Sequence, residues 1–531
     1  MDSEFLWWRD GIIYQIYPRS FYDTTGSGIG DLNGITEKIG YLADLGVDAL
    51  WLSPINPSPD VDFGYDVADY RAIDPKFGTM ADFERLVEIA RKAQIAIVMD
   101  LVLNHTSDKH PWFLSSRASK DSPYRDYYLW QDARPGGKPP NNWHSVFGGY
   151  GWEWDEQAQQ YYYHMFYKEQ PDVNWRNPKV REEMLDVFRF WLDKGVKGFR
   201  LDVFNVYFKD AQFRNNPTRL FGRRPFDRQI HTHDFDQPEL MGVLHDIRTV
   251  LDGYDAAYAI GETFLSTPEK AAGYTGKDKL HACFNFKISE ARRDPRVFMR
   301  RIMEWEHALG TDKWPNYVLN NHDTVRSATR YGQGEDDARM KVLAAMLLTL
   351  RGTPFLYYGE EIGMRDIRVR RRDILDPIGK RYWPIYVGRD GCRAPMQWDA
   401  SPQAGFTDGE PWLPIHPNYE IRNVARQSKH EGSLLHFYKK MLTFRRSQPA
   451  LVKGDFLPLD AGNRSVMAYQ RQYIGQKLLV LLNFSAARKN AALPAGAQFS
   501  PAFSSHSHSP DMLLAGRIQL EGNEALILHE K

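Results

Sequence analysis

Arg200 and Asp202 lie two residues apart in the stretch Gly198-Phe-Arg-Leu-Asp-Val203, where the neighbours are apolar or glycine. An extended chain turns alternate side chains to one face, so a strand here presents the arginine and the aspartate together. A pair of this kind serves either as a strand-end salt bridge or as part of a catalytic centre. Two further acids stand in similar settings, Glu262 after Tyr258-Ala-Ile-Gly261 and Asp323 after Asn320-Asn-His322. Together they point toward carboxylate chemistry and raise the question of what would bring them together.

The surrounding chain supplies the elements. Short apolar runs alternate with helical patterns, and eight strand candidates begin near Ile12, Val47, Ile95, Val196, Ala256, His281, Asn316 and Pro354. Helices are expected over residues 36–45, 80–93, 180–193, 238–251, 296–308 and 336–350. Eight β/α units in one run favour a closed (β/α)8 TIM barrel over an open doubly wound sheet. Residues at the C-terminal ends of barrel strands line the active face, and those ends carry Asn104, His105, Arg200, Asp202, Glu262, His322 and Asp323. The rhythm breaks over residues 104–171, rich in Pro, Gly, Trp and Tyr, which read as a module inserted after strand three. The expected organisation is therefore barrel over 1–103 and 172–450, insertion over 104–171, and a C-terminal antiparallel β domain over 451–531.

Composition narrows the partners. In 531 residues, 68 Lys and Arg balance 68 Asp and Glu, which argues against nucleic acid or a charged membrane surface as ligand. The 14% aromatic content suits either sugar stacking or a large core. Cys283 and Cys392 form no CxxC pair, which argues against a disulfide framework or zinc site and fits a reducing compartment. No stretch approaches 18 uninterrupted apolar residues, and the N-terminus lacks a basic region followed by an apolar run. A soluble, cytoplasmic protein is expected; whether it is a monomer or a homo-oligomer stays open.

Asp100-Leu-Val-Leu-Asn104-His105, Gly198-Phe-Arg-Leu-Asp202, Gly261-Glu262-Thr263 and Asn320-Asn-His322-Asp323 resemble, in order, the four short signature regions of the α-amylase family of glycoside hydrolases. Gln170-Pro-Asp-Val-Asn174, Arg393-Ala-Pro-Met-Gln-Trp398 and Ala404-Gly-Phe406 are similar to stretches of its oligo-1,6-glucosidase and α-glucosidase branch. The resemblance implies a retaining, exo-acting α-glucosidase with nucleophile Asp202, acid/base Glu262 and transition-state stabiliser Asp323. Arg200 is expected to keep the nucleophile ionised, and an apolar setting around Ile260 and Phe264 to keep Glu262 protonated. It also implies sugar contacts from Asp62, Tyr65, His105, Phe166, Gln170, His322 and Arg393, with Tyr65 stacking under the terminal glucose and Asp62 and Arg393 closing the pocket.

Val203 after the nucleophile favours α-1,6 linkages in that branch, whereas residues 203–217 look more like α-glucosidases that prefer short α-1,4 substrates and transfer glucose. A maltase or transglucosylase, or a sucrose-active hydrolase or isomerase, is the enzymatic alternative. A non-catalytic binding subunit is the remote one. Small oligosaccharides or glucosides are the expected ligands, with no cofactor for catalysis. Asp23, Thr25, Ser27, Ile29 and Asp31 resemble the branch's calcium loop with Thr and Ser where it has Asn and Asp. They leave two readings, a structural Ca2+ or Mg2+ ion and an empty turn held by side-chain hydrogen bonds. His231 and His233 form an HxH better read as loop than as metal site. Gly26, Gly28 and Gly30 mimic a phosphate loop without its lysine.

Overall fold

The computed structural model describes residues 5–509 and 511–531. Eight parallel strands build the core sheet: β1 (Ile13–Ile16), β2 (Ala49–Leu52), β3 (Ala96–Leu101), β4 (Gly198–Leu201), β5 (Tyr258–Gly261), β6 (Ala282–Cys283), β7 (Asn316–Val318) and β8 (Thr353–Tyr357). They fall at the eight expected positions and pair in the order β7, β8, β1, β2, β3, β4, β5, β6. No backbone ladder among the described residues joins β6 to β7. There Asn316 Nδ2 donates to the Cys283 carbonyl at 2.6 Å, so a side chain spans the seam of the barrel.

Helices pack around the sheet because one stripe of each is apolar. The helix Met80–Lys92 buries Phe83, Leu86 and Ala90 and is opened by a capping box between Thr79 and Asp82. The helix Pro178–Asp193, capped by Asn177, buries Val180, Met184, Val187, Phe188 and Trp191. The helix expected over 36–45 starts earlier and breaks in two, Leu32–Glu37 and Ile39–Leu45. Its start is set by Asp31, whose carboxylate accepts from Gly34 N at 2.7 Å.

The insertion after β3 holds a three-stranded antiparallel sheet of Trp130–Gln131, Trp152–Asp155 and Gln160–Tyr163, with the last strand in the middle. Its apolar core, with Trp143, Trp152, Tyr163 and Phe166, continues into Val203, Phe226, Phe235 and Ile378 from the barrel loops, which fixes the insertion over the active face. The chain leaves it through Asp172 N to Tyr163 O (3.1 Å) and Val173 N to Asn104 O (3.0 Å). The loop after β8 carries a helix (Pro377–Tyr382) and a 3₁₀ turn (Asp390–Arg393) before the last barrel helix, Leu434–Ser447.

The C-terminal domain pairs a five-stranded antiparallel sheet with a two-stranded one. It grips the barrel through Arg471, fully buried, whose Nη1 donates to Thr349 O at 2.6 Å beside the C-terminus of the helix Ala338–Thr349. No helix among the described residues is long and apolar enough to cross a membrane.

Candidate active site

The parallel ladder sets the candidate catalytic acids. Asp100 pairs with Arg200 across β3 and β4, and Leu201 with Gly261 across β4 and β5. Past the last ladder residues, Asp202 N still donates to Leu101 O (3.0 Å) and Glu262 N to Leu201 O (2.8 Å), so both side chains leave rigid strand ends. Gly261 must lack a side chain, since a Cβ there would lie 2.3 Å from the Phe204 ring. Val203 is held at φ +34°, a left-handed conformation that strains a β-branched residue and turns the chain sharply after Asp202.

Arg200 is buried beneath these acids. Its Nη1 donates to Asp202 Oδ1 (2.6 Å) and to Asp100 Oδ1 (2.7 Å), while Nη2 donates to Glu262 Oε2. One guanidinium thus faces three carboxylates, with Asp323 as a fourth acid nearby. Burial pushes the Glu262 carboxyl up; Arg200 opposes this, and the charges of Asp202, Asp323 and Asp100 add to it, leaving it at about 8. The expected setting around Ile260 and Phe264 is only half present. Phe264 lines the pocket, whereas Ile260 is buried in the barrel interior against Trp51 and Phe284. Buried Asp100 is raised as well, to about 7.

His322 and Tyr65 form a relay under the site. Gln15 Nε2 donates to His322 Nδ1 (2.8 Å), which leaves Nε2 to carry the proton toward Tyr65 Oη (2.5 Å); Tyr65 in turn donates to Asp100 Oδ2 (3.1 Å). Burial holds His322 neutral, lowering it to about 3. Asp323 behaves oppositely. Burial disfavours its charge, but the guanidiniums of Arg389 and Arg393 outweigh burial and hold it well below the usual carboxylate range.

Asp62, Tyr65, His105, Asp202, Glu262, Asp323 and Arg389 line a cavity of about 230 Å³ together with Val146, Phe147, Phe166, Val203, Phe264 and Ile378. Three of the expected sugar contacts lie elsewhere, and one of them, His322, is the fully buried ring beneath Tyr65. Arg393 is sealed beneath the floor, donating to His322 O (2.9 Å) and Asp323 Oδ1 (2.8 Å). Its place at the closed end is taken by Arg389, which donates from Nη2 to Asp62 Oδ1 (2.6 Å) and to Asp376 Oδ1 (3.0 Å). Gln170 is fully buried behind the wall, its Nε2 against Tyr65 O (3.1 Å) and His105 Nε2 (3.0 Å), so it orients the residues in front of it.

Sequence reasoning missed Arg389, Asp376 and Lys209. Lys209 is buried, with Nζ donating to Asn104 Oδ1 (2.8 Å) and Val206 O (2.6 Å) and paired with Asp172. Asn104 passes the connection on to Asp172 (2.9 Å) and His105 Nδ1 (3.2 Å). A lysine in a run of apolar and aromatic residues just past a strand end was the available signal.

At the glycine-rich loop, the donor set does not fit a cation. Asp23 Oδ1 accepts from Thr25 N (2.8 Å), Thr25 Oγ1 (2.9 Å) and Gly26 N (3.1 Å); Oδ2 accepts from Gly28 N (2.7 Å) and Thr407 Oγ1 (2.6 Å). Asp31 is used by Thr24 and as a helix cap, and Ser27 Oγ donates to the Ile29 carbonyl at 3.1 Å. Donors thus occupy the oxygens a metal would need. His231 pairs with Asp234 at 2.9 Å, and no cluster of three metal-ligating side chains occurs among the described residues.

Residues 15–454 match the family described as "Alpha amylase, catalytic domain". The chain is 42% identical over 502 residues to a probable α-glucosidase of Rhizobium meliloti (strain 1021), covering 92% of this chain and 91% of that one. It is also 42% identical over 525 residues to an oligo-1,6-glucosidase of Parageobacillus thermoglucosidasius, covering 91% of each. Among solved structures, the α-glucosyl transfer enzyme XgtA superposes with a TM-score of 0.93 at 39% identity, covering 99% of this chain and 100% of that one.

Proposed function

This chain belongs to the α-amylase family of glycoside hydrolases, and we propose that it is a retaining, exo-acting α-glucosidase that removes terminal glucose from short oligosaccharides with α-1,6 preference. The observation that carries this reading is the single guanidinium of Arg200 shared by Asp202 and Glu262. Two carboxyl groups gathered on one fork favour the short spacing of a retaining enzyme, about 5–5.5 Å, over the gap of about 6.5–9.5 Å that holds the water of an inverting one. Asp202 attacks the anomeric carbon as Glu262 gives its proton to the departing glycosidic oxygen. Glu262 then takes a proton from water, which breaks the glucosyl ester and frees Asp202 with net retention.

Their protonation states support these roles. Glu262 is raised enough to hold a proton at neutral pH. Asp323, held ionised in the cavity lining, suits the counter-charge that the oxocarbenium-like transition state needs. Exo action is favoured by the Asp62–Arg389 pair across the closed end, and the small cavity suits one glucose ring. Val203, strained and facing the cavity, supports the α-1,6 preference.

The relatives' names include an α-glucosyl transfer enzyme, which favours sugar transfer as the second reading. Two buried free thiols support a cytoplasmic setting. Glucose release from isomaltose, maltose and sucrose, compared side by side, tests the proposal: isomaltose fastest supports it. Maltose or sucrose fastest with abundant transfer products moves the enzyme to the second reading.

A further inference from the structure

His322 is fully buried between two tyrosine rings, Tyr65 at 5.4 Å and 3° and Tyr17 at 6.0 Å and 16°, with Trp51 set edge-to-face at 6.1 Å and 84°. That sandwich fixes the plane of the imidazole. It does not decide which nitrogen carries the proton, because both nitrogens lie in the plane and meet different partners. Nδ1 lies 2.8 Å from Gln15 Nε2, whereas Nε2 lies 2.5 Å from Tyr65 Oη and 3.3 Å from Asp323 Oδ2.

The far ends of this chain of contacts are carboxylates, which accept hydrogen bonds and do not donate them. Asp100 Oδ2 takes the Tyr65 hydroxyl proton at 3.1 Å and already faces a second donor, Trp51 Nε1, at 3.2 Å. Tyr65 Oη therefore has only lone pairs left for His322. Asp323 Oδ2 likewise calls for a hydrogen in front of it. Both demands put the proton on Nε2 and leave Nδ1 a bare acceptor that must meet a donor. Gln15 is that donor. Its amide nitrogen also reaches Ser53 Oγ at 3.2 Å, and the side chain is buried. The backbone beneath it is held from both sides, because the barrel ladders pair Gln15 with Trp51 of β2 and Tyr357 of β8, and Tyr358 N donates to Gln15 O at 2.9 Å.

We propose that Gln15 is a positioning residue for the reaction: by holding His322 Nδ1 it fixes the Nε2–H tautomer, and that N–H steadies the second oxygen of Asp323. Arg393 and Arg389 donate to Asp323 Oδ1 alone, at 2.8 Å and 3.4 Å. A bare ring nitrogen facing Oδ2 repels the carboxylate and turns it. Under the proposed function a turned Asp323 no longer meets the charge that develops in the transition state, so the loss falls on kcat rather than on KM. The role of Asp323 belongs to that reading; the tautomer stands on the hydrogen bonds alone.

Neutron diffraction from the perdeuterated full chain reads the tautomer directly. Deuterium is expected on His322 Nε2 and absent from Nδ1, with the Gln15 amide deuterium aimed at Nδ1; deuterium on Nδ1 overturns the proposal. Gln15→Met keeps the length and removes the donor, and should lower kcat about tenfold on the fastest of isomaltose, maltose and sucrose, with KM changed less than about threefold. Gln15→Glu offers an acceptor in place of the donor, draws the proton to Nδ1 and lowers kcat about 100-fold. Variants that lose thermal stability but keep the parent kcat show a merely structural glutamine and refute the positioning role. A chain that turns over none of these sugars refutes the glucosidase reading instead and leaves the diffraction result to decide the tautomer.

Discussion

Arg389, just before the 3₁₀ segment Asp390–Arg393, and Arg393 at its end both donate to Asp323 Oδ1, at 3.4 Å and 2.8 Å. Arg389 also reaches forward to Asp62 in the pocket, whereas Arg393 is sealed against the His322 carbonyl. Under the proposed function, one arginine shapes the closed end of the sugar pocket and the other fixes the charge of Asp323.

Replacing them separates these tasks. Arg389→Lys removes a planar fork that a point charge cannot replace, so KM for disaccharides rises about tenfold or more with a smaller change in kcat. Arg393→Ala takes from Asp323 its nearest guanidinium, at 2.8 Å, and lowers kcat about 100-fold. Steady-state kinetics on isomaltose reads both; equal effects on KM and kcat in the two variants refute the division.

The pH profile follows from Glu262. The acid is active when protonated, so kcat/KM falls as pH rises through about 8. Asp100→Asn removes a negative charge that helps raise Glu262, so the alkaline limb moves to lower pH. A limb that stays in place excludes this electrostatic coupling.

Glu360 links stability to pH elsewhere. It is 3% exposed, accepts from Tyr438 Oη at 3.0 Å, and burial raises it from 4.5 to about 7. Its neutral form belongs to the folded state, so its contribution is complete below the unfolded value and is lost as pH rises through about 7. The loss is on the order of 3 kcal/mol between those limits. Urea unfolding of Glu360→Gln at pH 5 and pH 8 should show a flatter pH dependence than the parent chain.

Lys209→Met leaves Asp172 as a buried, unpaired charge and lowers stability by about 3–5 kcal/mol. Adding Asp172→Asn restores part of it, because the stranded charge is gone. Denaturant unfolding of the single and double variants gives the coupling, and strict additivity contradicts the ion-pair account.

At the loop after β1, chelation leaves the melting temperature unchanged, while Asp23→Ala lowers it by removing the acceptor of six hydrogen bonds. A chelator-induced drop reversed by Ca2+ restores the metal reading.

The barrel was readable in the chain because eight apolar runs separated by amphipathic helices leave little choice of topology, and strand ends then locate Asp202, Glu262 and Asp323. What escaped were partnerships between distant segments. Nothing local distinguishes Arg389 from Arg393, since which one reaches Asp62 depends on how a 3₁₀ turn 327 residues further along the chain docks over it. The early start of the first barrel helix, at Leu32, likewise follows from Asp31 being used as its cap.

The most direct test of the central claim is peptide mass spectrometry after rapid quench with a slow fluorinated α-glucosyl fluoride. The account predicts one glucosyl adduct, on the peptide containing Asp202 and absent in Asp202→Ala. An adduct on another residue, or turnover with no adduct at any quench time, contradicts it.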